Sequence, residues 1–121
     1  MRQETKDIMK AFINRKSCRR QRTITDGSAV YLHGNRIAWR EPNGDISMTL
    51  AGWGTATTRE RLNGLCMLLI DKRPFNQRKH EQYYDDTPID ADQVITIHTI
   101  VPVEMDFDEQ RAWYDTSAEL N

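Results

Sequence analysis

The stretch Gly52-Trp53-Gly54-Thr55-Ala56-Thr57 places two glycines and two threonines just ahead of Arg59 and Arg61. A glycine-bearing turn that opens a helix offers backbone N–H groups and the positive end of a helix dipole, both of which attract anions. The match to known phosphate loops is partial: the third glycine of the dinucleotide fingerprint is missing, and no Gly-Lys-Ser/Thr follows. Trp53 between the glycines would crowd a buried pyrophosphate, whereas a flat aromatic beside Arg59 and Arg61 suits stacking on a base. Two readings stand: an anion site of Gly52, Gly54, Thr57, Arg59 and Arg61, or a tight turn whose glycines supply backbone freedom and whose Thr57 caps a helix.

A second set of residues suits nucleic acid. Arg15, Lys16, Arg19, Arg20 and Arg22 fall within eight positions, dense enough to contact several phosphates and release their counterions. Tyr31, Trp39 and Trp53 would supply stacking surfaces wherever they lie on an exposed face. Trp39 alternates in step with Ile37, which assigns it to the core. A third set, Asp85, Asp86, Asp90, Asp92, Asp106, Asp108 and Glu109, has the spaced carboxylates needed to imitate a phosphate backbone and occupy a basic groove on a nucleic-acid-handling protein.

Charge divides along the chain in the same way. Residues 1–80 carry 16 basic and 7 acidic side chains, and residues 81–121 carry 1 basic and 11 acidic ones, although the whole chain has a net charge of only −1. Such asymmetry points to an anionic partner for the front, a cationic partner for the rear, or mutual neutralisation of the two.

Enzyme chemistry has less support. His33, His80 and His98 show no spacing with Cys18 or Cys66 that resembles a metal-ligand set or a nucleophile with its base. The aspartates lack the spacing and glycine of a calcium loop. The expectation is a binding protein with no cofactor and no metal. Cys18 and Cys66 are expected as free thiols, the second as a small buried hydrophobe.

The elements that position these residues follow from pattern. At 121 residues the chain has the size of one domain. Turn dipeptides Asp26-Gly27, Gly34-Asn35 and Asn43-Gly44 separate β-rich runs, which predicts an antiparallel meander. Thr57 and Glu60 fit a capping box, and Leu62, Leu65, Cys66 and Leu69 follow at helical spacing, so an amphipathic helix is expected over 57–70 to cover the sheet. Gly64 within it marks a close approach, expected against the sheet. Residues 3–12 suit either a short helix or the start of a strand. Residues 71–93, polar and broken by Pro74 and Pro88, read as a long loop. Residues 94–101 read as a strand covered on both faces, and Asp106 with Glu109 as the cap of a short terminal helix. The fold class is therefore α+β, a meander packed against one amphipathic helix, in a single unit made of the segments 12–70, 71–93 and 94–121. The longest apolar run, Leu65 to Ile70, is far below the roughly 20 residues that span a bilayer. The N-terminus lacks an apolar stretch, and a cytoplasmic protein with no membrane partner is expected.

Two segments, Tyr31-Leu32-His33-Gly34-Asn35-Arg36-Ile37-Ala38 and Ala51-Gly52-Trp53-Gly54-Thr55-Ala56-Thr57-Thr58-Arg59-Glu60-Arg61-Leu62-Asn63, resemble a pattern found in small uncharacterised proteins of tailed bacteriophages. The likeness runs from about residue 12 to residue 65, and the acidic rear stands outside it as a specialisation of this chain. The resemblance implies an accessory phage protein acting in the host cytoplasm and transfers no activity to particular residues. Together with the charge pattern it leads to a small binding protein that modulates a host or phage macromolecule, either nucleic acid or a basic nucleic-acid-handling protein. The alternative is an anion- or nucleotide-binding, or hydrolytic, domain built on residues 52–61.

Overall fold

A computed structural model describes residues 1–98. Helix α1, Gln3–Ile13, is followed by five short strands, β1 Cys18–Arg20, β2 Thr23–Thr25, β3 Ala29–Leu32, β4 Asn35–Arg40 and β5 Ile46–Met48. Helix α2, Ala56–Ile70, comes next, and then β6 Phe75–Arg78, β7 Glu81–Tyr84, β8 Thr87–Ile89 and β9 Ile95–Ile97. The first five strands pair antiparallel in chain order, and β9 returns to pair with β5, which gives the order β1-β2-β3-β4-β5-β9. Strands β6, β7 and β8 form a separate three-stranded antiparallel sheet. The α+β meander under a helix is thus what the chain adopts.

One face of the large sheet is covered by both helices. In α1, Thr5, Ile8, Met9, Phe12 and Ile13 are buried at helical spacing, which settles the opening segment as a helix. They meet Leu62, Leu65 and Cys66 of α2 and the inward residues Val30, Leu32, Ile37, Ala38, Met48 and Leu50 in a single core. Helix α1 ends without glycine. Arg15 takes the left-handed backbone conformation (φ 59°), Lys16 N–H donates to Ala11 O (2.8 Å) and Arg15 N–H to Phe12 O (3.1 Å). The Arg40 guanidinium donates to Phe12 O (3.0 Å) and Gly27 O (2.9 Å), placing a cation on the negative end of the helix.

The cap of α2 differs from expectation. Thr55, two residues before Thr57, is the N-cap, and its hydroxyl accepts from Thr58 N–H (3.1 Å). Glu60 turns away from the helix end. It accepts from the Thr5 hydroxyl and the Arg2 N–H and pairs with Arg61, so a contact 55 residues distant in sequence outcompetes the local capping box.

Gly64 does mark a close approach, but to α1 and not to the sheet. A Cβ at this position would fall inside van der Waals contact of Thr5 Cγ2. Thr5 is fully buried, and its hydroxyl both donates to Glu60 and accepts from Arg61, so the methyl group has nowhere to turn. Gly64→Ala gains up to about 1 kcal/mol of helix propensity, yet the forced separation of the helices should leave a net loss of about 1–3 kcal/mol. Chemical denaturation measures this, and an unchanged or raised midpoint would contradict the packing described.

Residues 71–93 are not a loop. They carry the second sheet, whose hairpins turn on Lys79-His80 (φ 49° and 70°) and Asp85-Asp86 (φ 49° and 66°). Pro88 fits because β8 is an edge strand, where a missing N–H is tolerated. This sheet docks on the turn before α2 through Gln82, which lies so close to Gly54 that a Cβ there would come within 2.6 Å of its side-chain nitrogen. In the expected strand 94–101, the described part is Ile95–Ile97. Ile97 is buried while Thr96 is exposed, so these residues are covered on one face only. The expected terminal helix beginning near Asp106 lies outside the described residues.

Candidate nucleic-acid interface

Local pairing decides which side chains leave the core. Register aligns Arg19 with Ile24, Ile24 with Tyr31 and Tyr31 with Arg36 across four neighbouring strands. Directly paired residues share a face. The alternate residues Thr23, Thr25, Val30 and Leu32 are buried beneath the helices, so Arg19, Ile24, Tyr31 and Arg36 form one row on the face opposite α1 and α2.

A β-bulge adds Trp39 to that face. Between the Val30–Ala38 and Tyr31–Arg36 pairs, β4 carries one extra residue, Ile37. Ile37 and Ala38 consequently both point inward, at 1% and 0% exposure. From there the alternation is shifted by one, and Trp39 faces outward, half-buried, where simple alternation assigns it to the core. The Arg36 guanidinium lies over the Trp39 ring at 4.0 Å. The indole N–H donates to Glu41 (2.9 Å), which also accepts from Ser47, and these bonds fix the plane of the ring.

The basic run is divided by the fold. Arg19 joins the outer face. Arg20 pairs with Asp7 of α1 at 3.0 Å, and its charge with the Gln3 amide holds the Asp7 carboxyl below its usual range, the Gln3 hydrogen bond being the larger influence. Arg15 serves as the residue just past the end of α1, Lys16 is exposed beside it, and Arg22 is exposed in the β1–β2 turn. The ion pairs of Asp85 with Lys72 (3.4 Å) and of Asp86 with Arg78 (3.2 Å) are local to the second sheet and its approach. Asp90 and Asp92 are exposed beyond the other end of β8, while Asp106, Asp108 and Glu109 lie outside the described residues.

The turn at 52–61 is built differently from a phosphate cradle. Ala51 and Gly52 both have left-handed backbone (φ 57° and 81°) and form a turn closed by Trp53 N–H on Leu50 O (2.9 Å). Arg59 donates to Gly54 O, Gln77 and Gln82, joining the turn to the second sheet. Arg61 is 3% exposed and donates to Thr23 (3.0 Å), Thr5 (2.7 Å) and Glu60, so it is occupied within the core and does not face a ligand. Thr57 is half-buried, and Trp53, at 58% exposure, stands out from the turn.

Cys18 and Cys66 are free thiols, and burial, aided by the charge of Asp85, pushes Cys66 up to about 12, which removes it as a nucleophile at neutral pH. His98 contacts Asp45 at 2.8 Å and ties the end of β9 to the β4–β5 turn. No group of three or more His, Cys, Asp or Glu among the described residues is placed to hold a metal ion.

Sequence reasoning names Tyr31 as a stacking candidate but misses Arg36, whose partnership with Trp39 depends on the bulge. Comparison with known proteins now adds a source. The family model described as the Kyanoviridae Gp96 protein matches residues 1–109. The chain belongs to this phage family. No curated protein and no solved structure matches it. The family match extends well past the 12–65 segment that carries the phage resemblance, so the second sheet is part of the family pattern and not an addition private to this chain. Membership makes this a small phage accessory protein, and no helix among the described residues is long and apolar enough to cross a membrane.

Proposed function

We propose that this Gp96-family protein is a non-enzymatic accessory protein that binds single-stranded nucleic acid in the infected cell, on the face of its large sheet opposite α1 and α2. The observation that carries the reading is the row Arg19, Ile24, Tyr31 and Arg36 with Trp39 beside it. Single-strand binding without strong sequence preference calls for aromatic planes on which bases stack and cations that follow the backbone. Tyr31 and the Arg36 guanidinium stacked on Trp39 supply the planes, and Arg19 and Arg36 the cations. An extended strand crossing β1 to β4 meets them in turn. The arginines of the β1–β2 hairpin add charge at one end of that path.

The test is a titration of fluorescently labelled single-stranded DNA at several salt concentrations. With about three phosphate contacts, affinity should fall with a log–log slope of about −2. Arg19→Ala should weaken binding to all sequences alike and reduce the slope by about one contact. Absent binding at low salt, or binding indifferent to salt, would remove the proposal.

A further inference from the structure

The two segments that carry the phage resemblance meet in space, and the cleft between them belongs to the opposite side of the sheet from the proposed strand path. Its floor is apolar, made by Leu32, Ile37 and Leu50, and its volume is about 350 Å³. Trp53 forms one wall. Its turn is held by two hydrogen bonds, Trp53 N–H to Leu50 O and Gly52 N–H to Ala91 O, both 2.9 Å, which fix the backbone that carries this largely exposed indole. His33 and Asn35 from the hairpin and Thr55 and Thr57 from the start of α2 supply polar groups around the rim.

A second cleft of about 530 Å³ shares Leu32, His33 and Thr57 with the first and so lies directly beside it. It is lined by Gln21, Arg22 and Arg2. Arg61 also lines it but is held by Thr23, Thr5 and Glu60, and Arg2 is engaged with Glu4 at 2.9 Å, which leaves exposed Arg22 as the cation placed for an anionic group. An apolar slot with an aromatic wall, side by side with a polar cleft bearing a guanidinium, matches a ligand that is flat and apolar at one end and anionic at the other.

We infer that this composite cleft is a nucleotide pocket, in which a nucleobase stacks on Trp53 and its phosphate lies beside Arg22. Asn35, Thr55 and Thr57 are placed to hydrogen-bond the base edge and sugar, and His33 lines both clefts. The same chemistry comes from a free mononucleotide or from the phosphorylated end of a strand. The site does not depend on the sheet-face reading, because it uses none of Arg19, Tyr31, Arg36 or Trp39.

Backbone amide NMR of the full chain tests this with four probes: AMP, inorganic phosphate, and a single-stranded DNA of about ten nucleotides with and without a 5′-phosphate. Saturable shifts at residues 32–37 and 53–58 with AMP identify free-nucleotide binding. Shifts there with only the 5′-phosphorylated strand identify strand-end binding. Either outcome supports the pocket if Trp53→Ala and Arg22→Gln, both at exposed positions, each weaken the interaction by about tenfold. Trp53→Ala, which lies off the strand path, should leave binding along the sheet face unchanged when read with the unphosphorylated strand. Equal shifts with inorganic phosphate alone, indifference to Trp53→Ala, or no shifts with AMP and with the phosphorylated strand would overturn it.

Discussion

Arg61→Ala should lower the stability of the fold by about 3 kcal/mol. The guanidinium is 3% exposed and joins three elements through Thr23 of β2, Thr5 of α1 and Glu60 of α2. Removing it leaves the Thr23 and Thr5 hydroxyls without this donor and strips the Glu60 carboxylate of its cation, and an unsatisfied buried group costs more than a made hydrogen bond contributes. The Glu60 side chain remains 27% exposed, so water relieves part of the loss and keeps the figure at the low end of that known for buried pairs.

The same variant has an acid signature. Burial opposes the Glu60 charge, but hydrogen bonds from Thr5, the Arg2 N–H and Arg61, with the charge of Arg61, outweigh it, and the carboxyl titrates below its ordinary range. A carboxyl depressed in the folded state contributes stability above its unfolded pKa, and that contribution is lost as pH falls through the folded one. In Arg61→Ala the acid-side loss of stability should therefore be shallower. Urea denaturation at neutral and at acid pH reads both effects. A variant as stable as the parent, or one with an unaltered acid limb, would contradict the network.

Tyr31→Ala combined with Arg36→Glu should reduce affinity for single-stranded DNA by about a hundredfold or more. The two residues are direct cross-strand partners on the face opposite α1 and α2, so the pair removes a stacking plane and reverses a charge at one point on the path. Arg36 also covers Trp39, and its loss is therefore not independent of that ring. Neither residue is buried, and the melting transition should move little. Arg78→Glu, whose charge pairs with Asp86 on the second sheet, serves as the control and should alter binding by less than about twofold at physiological salt. Equal losses in the two variants would indicate diffuse charge attraction in place of a defined face.

What the sequence discloses follows from how local each determinant is. Helix α2 is legible because Leu62, Leu65, Cys66 and Leu69 lie on one stripe, and the meander because glycine-bearing dipeptides mark its turns. The second sheet is hidden because Lys79-His80 and Asp85-Asp86 adopt left-handed backbone without the glycine that normally announces such hairpins. Helix α1 is ambiguous for a related reason, since Arg15 occupies the left-handed position after its end.

Site residues were harder to read than elements. Arg61 sits in a sequence that suits anion binding, and only the arrival of Thr5 from α1 and Thr23 from β2 reveals it as a core residue. Trp39 was misassigned by strict alternation, because the single extra residue at Ile37 reverses the face of everything after it. Gly54 and Gly64 similarly owe their identity to Gln82 and Thr5, partners remote in sequence.

The most direct test of the proposed role is a backbone NMR titration of the full chain with unphosphorylated single-stranded DNA at low salt. The account predicts progressive shifts at Arg19, Ile24, Tyr31, Arg36 and Trp39, reversed by added salt. Shifts confined to the helices or to the second sheet, or no shifts at all, would contradict it.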